Sequence, residues 1–175
     1  AILRDEGTTG DREMAAAFYT AGFQPWDVTR EEYNSIASKF PITAICGGFT
    51  YSDALGAGVG LKTGLNLKGY KLGICNGCQT TLEMDVNDSN RLESDMVWVH
   101  ATDGKIFNIN EKHKCIMVNK TGKLRNNPTI MVGDKPVGQE RNDGLYLMPH
   151  IERMITHERY ESGWIEVFIN FHKLI

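Results

Sequence analysis

The sequence predicts an α/β fold in which a mostly parallel central sheet is covered by helices on both faces. Two observations support it: short apolar segments alternate with amphipathic helical segments, and the apolar segments are apolar along their length. Residues 42–46 are the clearest case, a continuous apolar run that ends in Gly47-Gly48. In such sheets ligands bind beyond the carboxyl ends of the strands. We therefore expect a functional site where residues 4–7, 47–49 and 75 converge.

In the first part of the chain, strands and helices alternate regularly. We predict a strand at residues 1–4, a loop at 5–10, a helix from Asp11 to Gly22, a strand at 26–28, a helix from Thr29 to about Ser38, and the strand at 42–46. Apolar residues at 14, 17, 18 and 21 share one face of the first helix. Thr29 and Glu32 have the spacing of a capping box, which predicts where the second helix begins.

The remaining elements are dominated by strands. We predict a long loop with one helical turn at 49–69, a strand at 70–74, a helix to about Met84, a polar loop at 87–94, strands at 96–99, 115–118, 129–132 and 144–148, and a turn with a further strand at 104–112. A final helix begins near Glu161, since Trp164, Val167, Phe168 and Phe171 have the spacing of one buried face.

Length and composition fit one globular domain over residues 1–175. With 41% hydrophobic residues, a formal net charge of −3 and no basic run, the chain shows no sign of a nucleic-acid partner. No apolar stretch of membrane-spanning length and no leader pattern is present, so no membrane partner is expected. Four irregularly spaced cysteines favour free thiols in the reducing cytoplasm. Because Ala1 already lies inside the first predicted strand, we expect a trimmed chain or a piece of a longer polypeptide.

A strand-turn-helix around Cys75 is the most informative motif. Gly73 and Gly77 flank the cysteine two positions before and after it, which is the cysteine version of a nucleophile elbow. Small residues at these positions let the strand and helix pass closely, and the helix N-terminus favours the reactive thiolate. Two alternatives remain open from this stretch alone: an ordinary buried cysteine, or a redox or metal-binding pair of Cys75 and Cys78.

His150 is the favoured partner of such a nucleophile. A cysteine nucleophile needs a base, and the base needs an acceptor that orients it. His150 and Glu152 follow a predicted strand and, two positions apart in extended chain, lie on the same side. The alternative is a surface histidine beside a surface glutamate. The other histidines, at 100, 113, 157 and 172, lack this pattern and are interpreted as surface or packing residues.

Acyl transfer also requires donors for an oxyanion. Gly47 and Gly48, at the end of a buried strand, are able to present backbone N–H groups, and the N–H of Asn76 follows the nucleophile directly. The alternative for the two glycines is a plain tight turn. Gln79 lies one helical turn after Cys75 and is able to face the same pocket, although a helical glutamine is usually solvated.

Together these motifs resemble class I, triad-type glutamine amidotransferase domains. The resemblance is closer still to the glutaminase domains of long-form phosphoribosylformylglycinamidine synthases, enzymes of purine synthesis. It is carried by residues 1–7, 10–14, 21–23, 46–53, 55–58, 73–79, 87–89, 91–94, 149–153 and 164–170. It implies the three-layer, flavodoxin-like class I glutaminase fold.

The resemblance also implies roles for individual residues. Cys75 would be the nucleophile, His150 the base and Glu152 its orienting acceptor. Gly48 and Asn76 would supply oxyanion N–H groups, and Phe49 and Gln79 would lie along the path of the glutamine side chain. Glutamine would be hydrolysed through a thioester, and the ammonia would pass to a separate synthetase domain or subunit. No metal or cofactor is expected in this domain, because ATP and magnesium belong to the synthetase.

Several departures from the family pattern weaken the prediction of a glutamine pocket. Family domains are longer, with additional residues between Gly58 and Tyr70 and around Ser94. The family's His-Gly-Glu-Gly segment corresponds here to residues 100–104, which differ, the Asn-Pro-rich loop is reduced to residues 126–128, and Ile151 replaces the usual proline. The alternative function is therefore a glutaminase-like interaction or regulatory module that has lost activity through loop shortening.

Overall fold

Twelve strands and six helices are seen in the computed structural model, which describes residues 1–53, 56–82, 84–86, 93–101, 104–107, 113–119, 122–124, 129–155 and 162–175. The strands are β1 (Ile2–Arg4), β2 (Asp27–Thr29), β3 (Ile42–Ile45), β4 (Tyr70–Ile74), β5 (Met84–Val86), β6 (Glu93–Ala101), β7 (His113–Asn119), β8 (Gly122–Leu124), β9 (Ile130–Val132), β10 (Lys135–Arg141), β11 (Gly144–Leu147) and β12 (Pro149–His150). The helices are α1 (Asp11–Thr20), α2 (Arg30–Ile36), α3 (Ala57–Lys62), α4 (Asn76–Thr81), α5 (Glu152–Ile155) and α6 (Ile165–Asn170).

Ten strands form one sheet in the order β12-β7-β6-β9-β10-β11-β4-β3-β1-β2, and β5 pairs with β8 separately. The block β11-β4-β3-β1-β2 is parallel throughout. The remaining strands extend it by antiparallel pairs. The predicted α/β fold with a parallel central sheet is confirmed, and an antiparallel extension is added to it.

Helices cover both faces of the parallel block because neighbouring residues of each strand point to opposite sides. Ile2 packs in the cluster with α1 and α6, where Phe18 meets Phe168 edge-on with ring centroids 5.1 Å apart. Its neighbour Leu3 packs in a second cluster with Tyr33 of α2 and with α3. The three predicted layers are therefore present. No helix in the described part of the chain is long and apolar enough to span a membrane.

Most predicted elements of the first half are confirmed. The capping box of α2 is formed: the Thr29 side chain accepts from the Glu32 backbone, and the Glu32 carboxylate accepts from Thr29. The segment predicted as a loop with one helical turn contains α3. The helix after Cys75 is shorter than predicted, ending at Thr81 rather than near residue 84. The hydroxyls of Thr80 and Thr81 bond back to carbonyls of Asn76 and Gly77, and the chain turns extended at the next residue.

The later part differs more from the sequence prediction. Strands β5, β8, β10 and β12 and helix α5 were not predicted, and Glu93 and Ser94, predicted to lie in a polar loop, begin β6. Residues 104–107 form no strand, because the N–H groups of Lys105, Ile106 and Phe107 all donate to the Glu140 carboxylate. The rest of that predicted strand, residues 108–112, and most of the polar loop at 87–94 lie outside the described residues. The final helix is confirmed as α6, with 3₁₀ turns at Ser162–Trp164 and Phe171–Leu174.

Candidate functional site

Cys75 occupies a sharp turn between β4 and α4. Its backbone has φ 54° and ψ −111°, a conformation that a non-glycine residue rarely adopts. A Cβ on Gly77 would lie 2.0 Å from the Ile45 carbonyl oxygen, and a Cβ on Gly73 would lie 2.7 Å from the Gly77 oxygen. Both positions therefore require glycine, which is the close strand–helix passage expected of an elbow.

The neighbouring strand brings His150 to Cys75. In the parallel pair of β11 and β4, Leu147 is opposite Ile74, and the Cys75 N–H donates to the Leu147 carbonyl at 2.8 Å. His150 follows three residues later. A Cβ placed on Gly47 would lie 2.7 Å from Cε1 of His150 and 3.0 Å from Cβ of Cys75. The ends of β3, β4 and β11 thus place Cys75 and His150 against the same glycine.

Glu152 orients the imidazole. His150 Nδ1 lies 2.7 Å from Glu152 Oε1, and the two side chains are only 2% and 1% exposed. Burial by itself lowers the pKa of His150, but the Glu152 charge and hydrogen bonds with Cys75 and Glu152 outweigh it and raise the pKa to about 10. The structure therefore brings Cys75, His150 and Glu152 together and raises the pKa of His150 above its ordinary value.

The loop after β3 is fixed to the loop after β1. Thr9 N–H donates to the Gly47 carbonyl at 2.9 Å and Phe49 N–H donates to the Gly7 carbonyl at 2.8 Å. These bonds make Thr8 and Gly48 an isolated antiparallel bridge, in which the N–H of the central residue points away from the pairing. A Cβ on Gly48 would lie 2.4 Å from the Gly7 oxygen, so the close approach requires glycine. The N–H of Gly48 thus takes no part in this pairing, whereas that of Phe49 donates within it.

Asn76 supplies the second predicted donor as the first residue of α4, where backbone N–H groups lack intrahelical acceptors. Its side chain is fully buried and donates to the Thr50 carbonyl at 3.3 Å. Gln79 is 8% exposed, and its backbone packs under Gly58 of α3. The side-chain atoms Nε2 of Gln79 and Oδ1 of Asn76 are buried and have no partner among the described residues. Two amides thus carry unused hydrogen-bonding capacity close to Cys75.

Phe49 lies at the rim of a cavity of about 580 Å³. The cavity is lined by the loop after β1 and the loop after β3, through Asp5, Glu6, Gly7, Phe49, Thr50, Tyr51 and Ser52. The Phe49 side chain is 51% exposed. Phe49, the residue directly after the Gly47–Gly48 turn, is thus one of the residues that line this cavity.

The other thiols have a different environment from Cys75. Cys78 is fully buried in α4, and burial together with the neighbouring Cys75 raises its pKa. Burial also raises the pKa of Cys46. Among the described residues, neither of these cysteines nor Cys75 forms a disulfide bond. Cys78 is thus a packed helix residue and a poor attacking group for a redox pair.

Two arginines contribute contacts that the sequence did not predict. Arg30 binds Asp5 Oδ2 at 3.4 Å, the Tyr51 hydroxyl and carbonyls of α3 and the loop after it, and so holds the cavity rim. Arg153 Nε lies 3.7 Å from Glu152 Oε1. Neither contact has a local sequence signature. Among the described residues, no group of three or more His, Cys, Asp or Glu side chains is arranged to hold a metal ion.

Several curated proteins similar to this chain are phosphoribosylformylglycinamidine synthases. Phosphoribosylformylglycinamidine synthase of Homo sapiens is 43% identical over an alignment covering 45% of this chain and 7% of that protein. The probable chloroplastic/mitochondrial enzyme of Arabidopsis thaliana is 38% identical over the same shares. The alignments span about 7% of the length of these curated relatives.

Solved structures share the fold at low sequence identity. The structure of PurLQS from Thermotoga maritima matches with a TM-score of 0.78 and 18% identity, covering 98% of this chain and 96% of that chain. A putative GMP synthase protein from Thermoplasma acidophilum matches with a TM-score of 0.73 and 16% identity, covering 99% and 92%. The family model of the CobB/CobQ-like glutamine amidotransferase domain matches residues 1–137. The chain therefore belongs to the CobB/CobQ-like glutamine amidotransferase domain family.

Proposed function

We propose that this domain hydrolyses L-glutamine to glutamate and ammonia through a thioester on Cys75. The supporting observation is the buried arrangement in which Gly47 lies against both Cys75 and His150 while Glu152 binds the far side of the imidazole. A nucleophile on a strained turn, a base within reach and an acceptor that orients the base are the parts that acyl transfer requires.

In the first half of the reaction, the Cys75 thiolate attacks the side-chain amide carbon of glutamine. The developing oxyanion accepts hydrogen bonds from the backbone N–H groups of Gly48 and Asn76, which have no acceptor within the loop pairing or the helix. The C–N bond then breaks as the His150 imidazolium donates its proton to the leaving nitrogen. Ammonia leaves, and a glutamyl thioester and neutral His150 remain.

In the second half, His150 acts as the general base. It takes a proton from water while the water oxygen attacks the thioester carbon, and the C–S bond breaks to release glutamate and the Cys75 thiolate. The proton taken from water restores the imidazolium. Glu152 remains a carboxylate throughout, stabilising the charged imidazole and fixing which ring nitrogen faces Cys75.

Phe49 and Gln79 are the proposed contacts along the glutamine side chain, together with Gly47. Phe49 supports this assignment by its position at the cavity rim, and Gln79 by its buried Nε2, which has no partner among the described residues. An amide donor of this kind suits an oxygen of the bound amino acid. A hydrogen bond from Gln79 Nε2 to that oxygen would remove the free-energy cost of leaving this buried donor without a partner.

The proposed destination of the ammonia is an ATP-dependent phosphoribosylformylglycinamidine synthase in the cytoplasm. The sequence similarity to the human and Arabidopsis enzymes of that name supports this choice. The synthetase would be a neighbouring domain or a separate polypeptide, and it would hold the ATP and magnesium, leaving this domain with no cofactor. Glutaminase activity of the domain alone should then be slow and should rise when the synthetase is present.

Replacing Cys75 tests the proposal. We expect Cys75→Ala to abolish glutamate release from glutamine and labelling by the glutamine analogue diazo-oxo-norleucine. Cys78→Ala is the matched control: it removes a buried thiol one helical turn away, and both activities should survive in folded protein. Glutamate release that is unchanged in Cys75→Ala would refute the proposal. A folded wild-type protein that neither reacts with the analogue nor releases glutamate would instead indicate an inactive interaction module.

A further inference from the structure

One oxygen of the Glu152 carboxylate lies near two cationic side chains. Oε1 lies 2.7 Å from Nδ1 of His150 and 3.7 Å from Nε of Arg153. The other oxygen, Oε2, is buried and has no hydrogen-bond partner among the described residues. An imidazolium and a guanidinium therefore share one anionic oxygen in a site from which water is largely excluded.

Arg153 is held beside Glu152 by a contact with Thr9, a residue near the start of the chain. Its Nη2 lies 3.5 Å from the hydroxyl of Thr9, 144 positions away, and only 30% of its side chain is exposed. Its Nε is buried and has no hydrogen-bond partner among the described residues. A Cβ on Gly10, the residue before α1, would lie 3.2 Å from Glu152 Oε1. The loop before α1 thus lies against both Arg153 and the carboxylate.

Among the described residues, Arg153 is the cation nearest to the Glu152 carboxylate apart from His150. Cys75 adjoins His150, and the buried Cys46 senses the charges of Glu152 and Asp11. Asp11 is itself paired with Arg4, at 3.1 Å. The side chains of β7, which also packs against α5, are outside the described set. The Glu152 carboxylate thus faces two cations, of which only one, the imidazolium, has to give up its proton in each reaction cycle.

We propose that Arg153 is a positioning residue of the Cys75–His150–Glu152 site: by sharing the Glu152 carboxylate with His150, it weakens the ion pair enough for the imidazole to lose its proton. The catalytic consequence of this assignment rests on the proposed function. A buried ion pair that is too strong holds the imidazolium in its charged form and makes it a weak acid. A second cation on the same oxygen lowers that attraction and also repels the imidazolium directly.

The proton equilibrium of His150 provides the direct test. In protein labelled with ¹³C-histidine, the His150 resonance is identified by its absence in His150→Gln, and its titration is followed in the wild type and in Arg153→Gln. We expect Arg153→Gln to raise the His150 midpoint by about 0.5–1 pH unit, because the competing cation is gone. Arg153→Lys keeps the charge and should bring the midpoint back toward the wild-type value. Arg12→Gln removes an exposed arginine at the start of α1 and should leave it unchanged.

Turnover gives the second readout. Arg153→Gln should lower kcat for glutamate release about three- to tenfold while KM changes less than about twofold, since the proton transfers slow but no substrate contact is lost. If Arg153→Gln does not fold, Thr9→Val loosens Arg153 and should raise the His150 midpoint by a smaller amount. A midpoint that stays constant or falls in the folded variants would overturn the assignment. A raised midpoint in a protein that releases no glutamate would refute the proposed function and leave the ion-pair assignment intact.

Discussion

Gly47→Ala is expected to separate His150 from Cys75, the proposed base and nucleophile, without unfolding the domain. Gly47 does not have a left-handed backbone, so alanine meets no conformational penalty there. The cost comes only from contacts: the new Cβ would lie 2.7 Å from Cε1 of His150 and 3.0 Å from Cβ of Cys75, where ordinary contacts begin at 3.4 Å. Because Cys75 is fixed by its strained turn, the imidazole is the group that has to recede, by about 0.7 Å.

A displacement of that size is large for catalysis and moderate for stability. Misplacing a reacting group by about 1 Å costs up to about 100-fold in rate, so we expect kcat for glutamate release to fall about 10- to 100-fold. Overpacking a buried site by one methyl group typically costs about 1–3 kcal/mol of unfolding free energy. Steady-state kinetics and urea unfolding of the same preparation measure both quantities.

Gly64→Ala is the matched control for the loss of stability. Gly64 has φ +80° and nothing lies within 4 Å of an added Cβ, so the substitution strains a surface loop by about 1–2 kcal/mol and touches nothing in the site. It should lower stability by an amount similar to Gly47→Ala while kcat stays near the wild-type value. If folded Gly47→Ala retained kcat within about threefold of the wild type, the inferred proximity of His150 and Cys75 would be refuted.

Two further substitutions test other parts of the site. Glu152→Gln removes the charge that contributes most to raising the pKa of His150, so that pKa should fall. A raised folded-state pKa contributes stability that is complete below pH 6.5 and is lost as the pH approaches 10. The wild-type unfolding free energy, measured in urea, should therefore fall more between pH 6 and 10 than that of Glu152→Gln, and an identical pH slope would contradict the ion pair. Gly77→Ala places a methyl group 2.0 Å from the Ile45 carbonyl oxygen. We therefore expect at least about 3 kcal/mol of destabilisation in melting experiments, or no soluble protein on expression. A normal melting curve would contradict the close strand–helix passage at this elbow.

The sequence was most informative where local chemistry decides the structure. The capping box of α2 requires only Thr29 and Glu32, and the elbow requires only glycines two residues to either side of Cys75. Strand β10 was missed because its ends are charged, Pro136 lies within it, and only its central three residues, 137–139, are buried. Nothing local distinguishes such a segment from a turn, and its pairing with β9 and β11 supplies the strand.

Contacts between distant parts of the chain account for what sequence reasoning missed in the site. Arg30 reaches Tyr51 across 21 positions and Asp5 across 25, and Arg153 reaches Thr9 across 144. A single arginine in a helix or at a loop end is most often a solvated residue, and the sequence does not identify its partner. The adjacency of the β1 and β3 ends, set by the parallel sheet, creates these contacts.

The pairing of His150 with Cys75 is supported by the geometry independently of the family assignment. The family model matches residues 1–137, which include Cys75 but end before His150 and Glu152. The position of His150 follows instead from β11 pairing beside β4 in a register that sets Leu147 opposite Ile74. The isoleucine between His150 and Glu152, where the resembled family has proline, still allows their side chains to meet at 2.7 Å. Departure at that one position therefore leaves the His150–Glu152 contact in place.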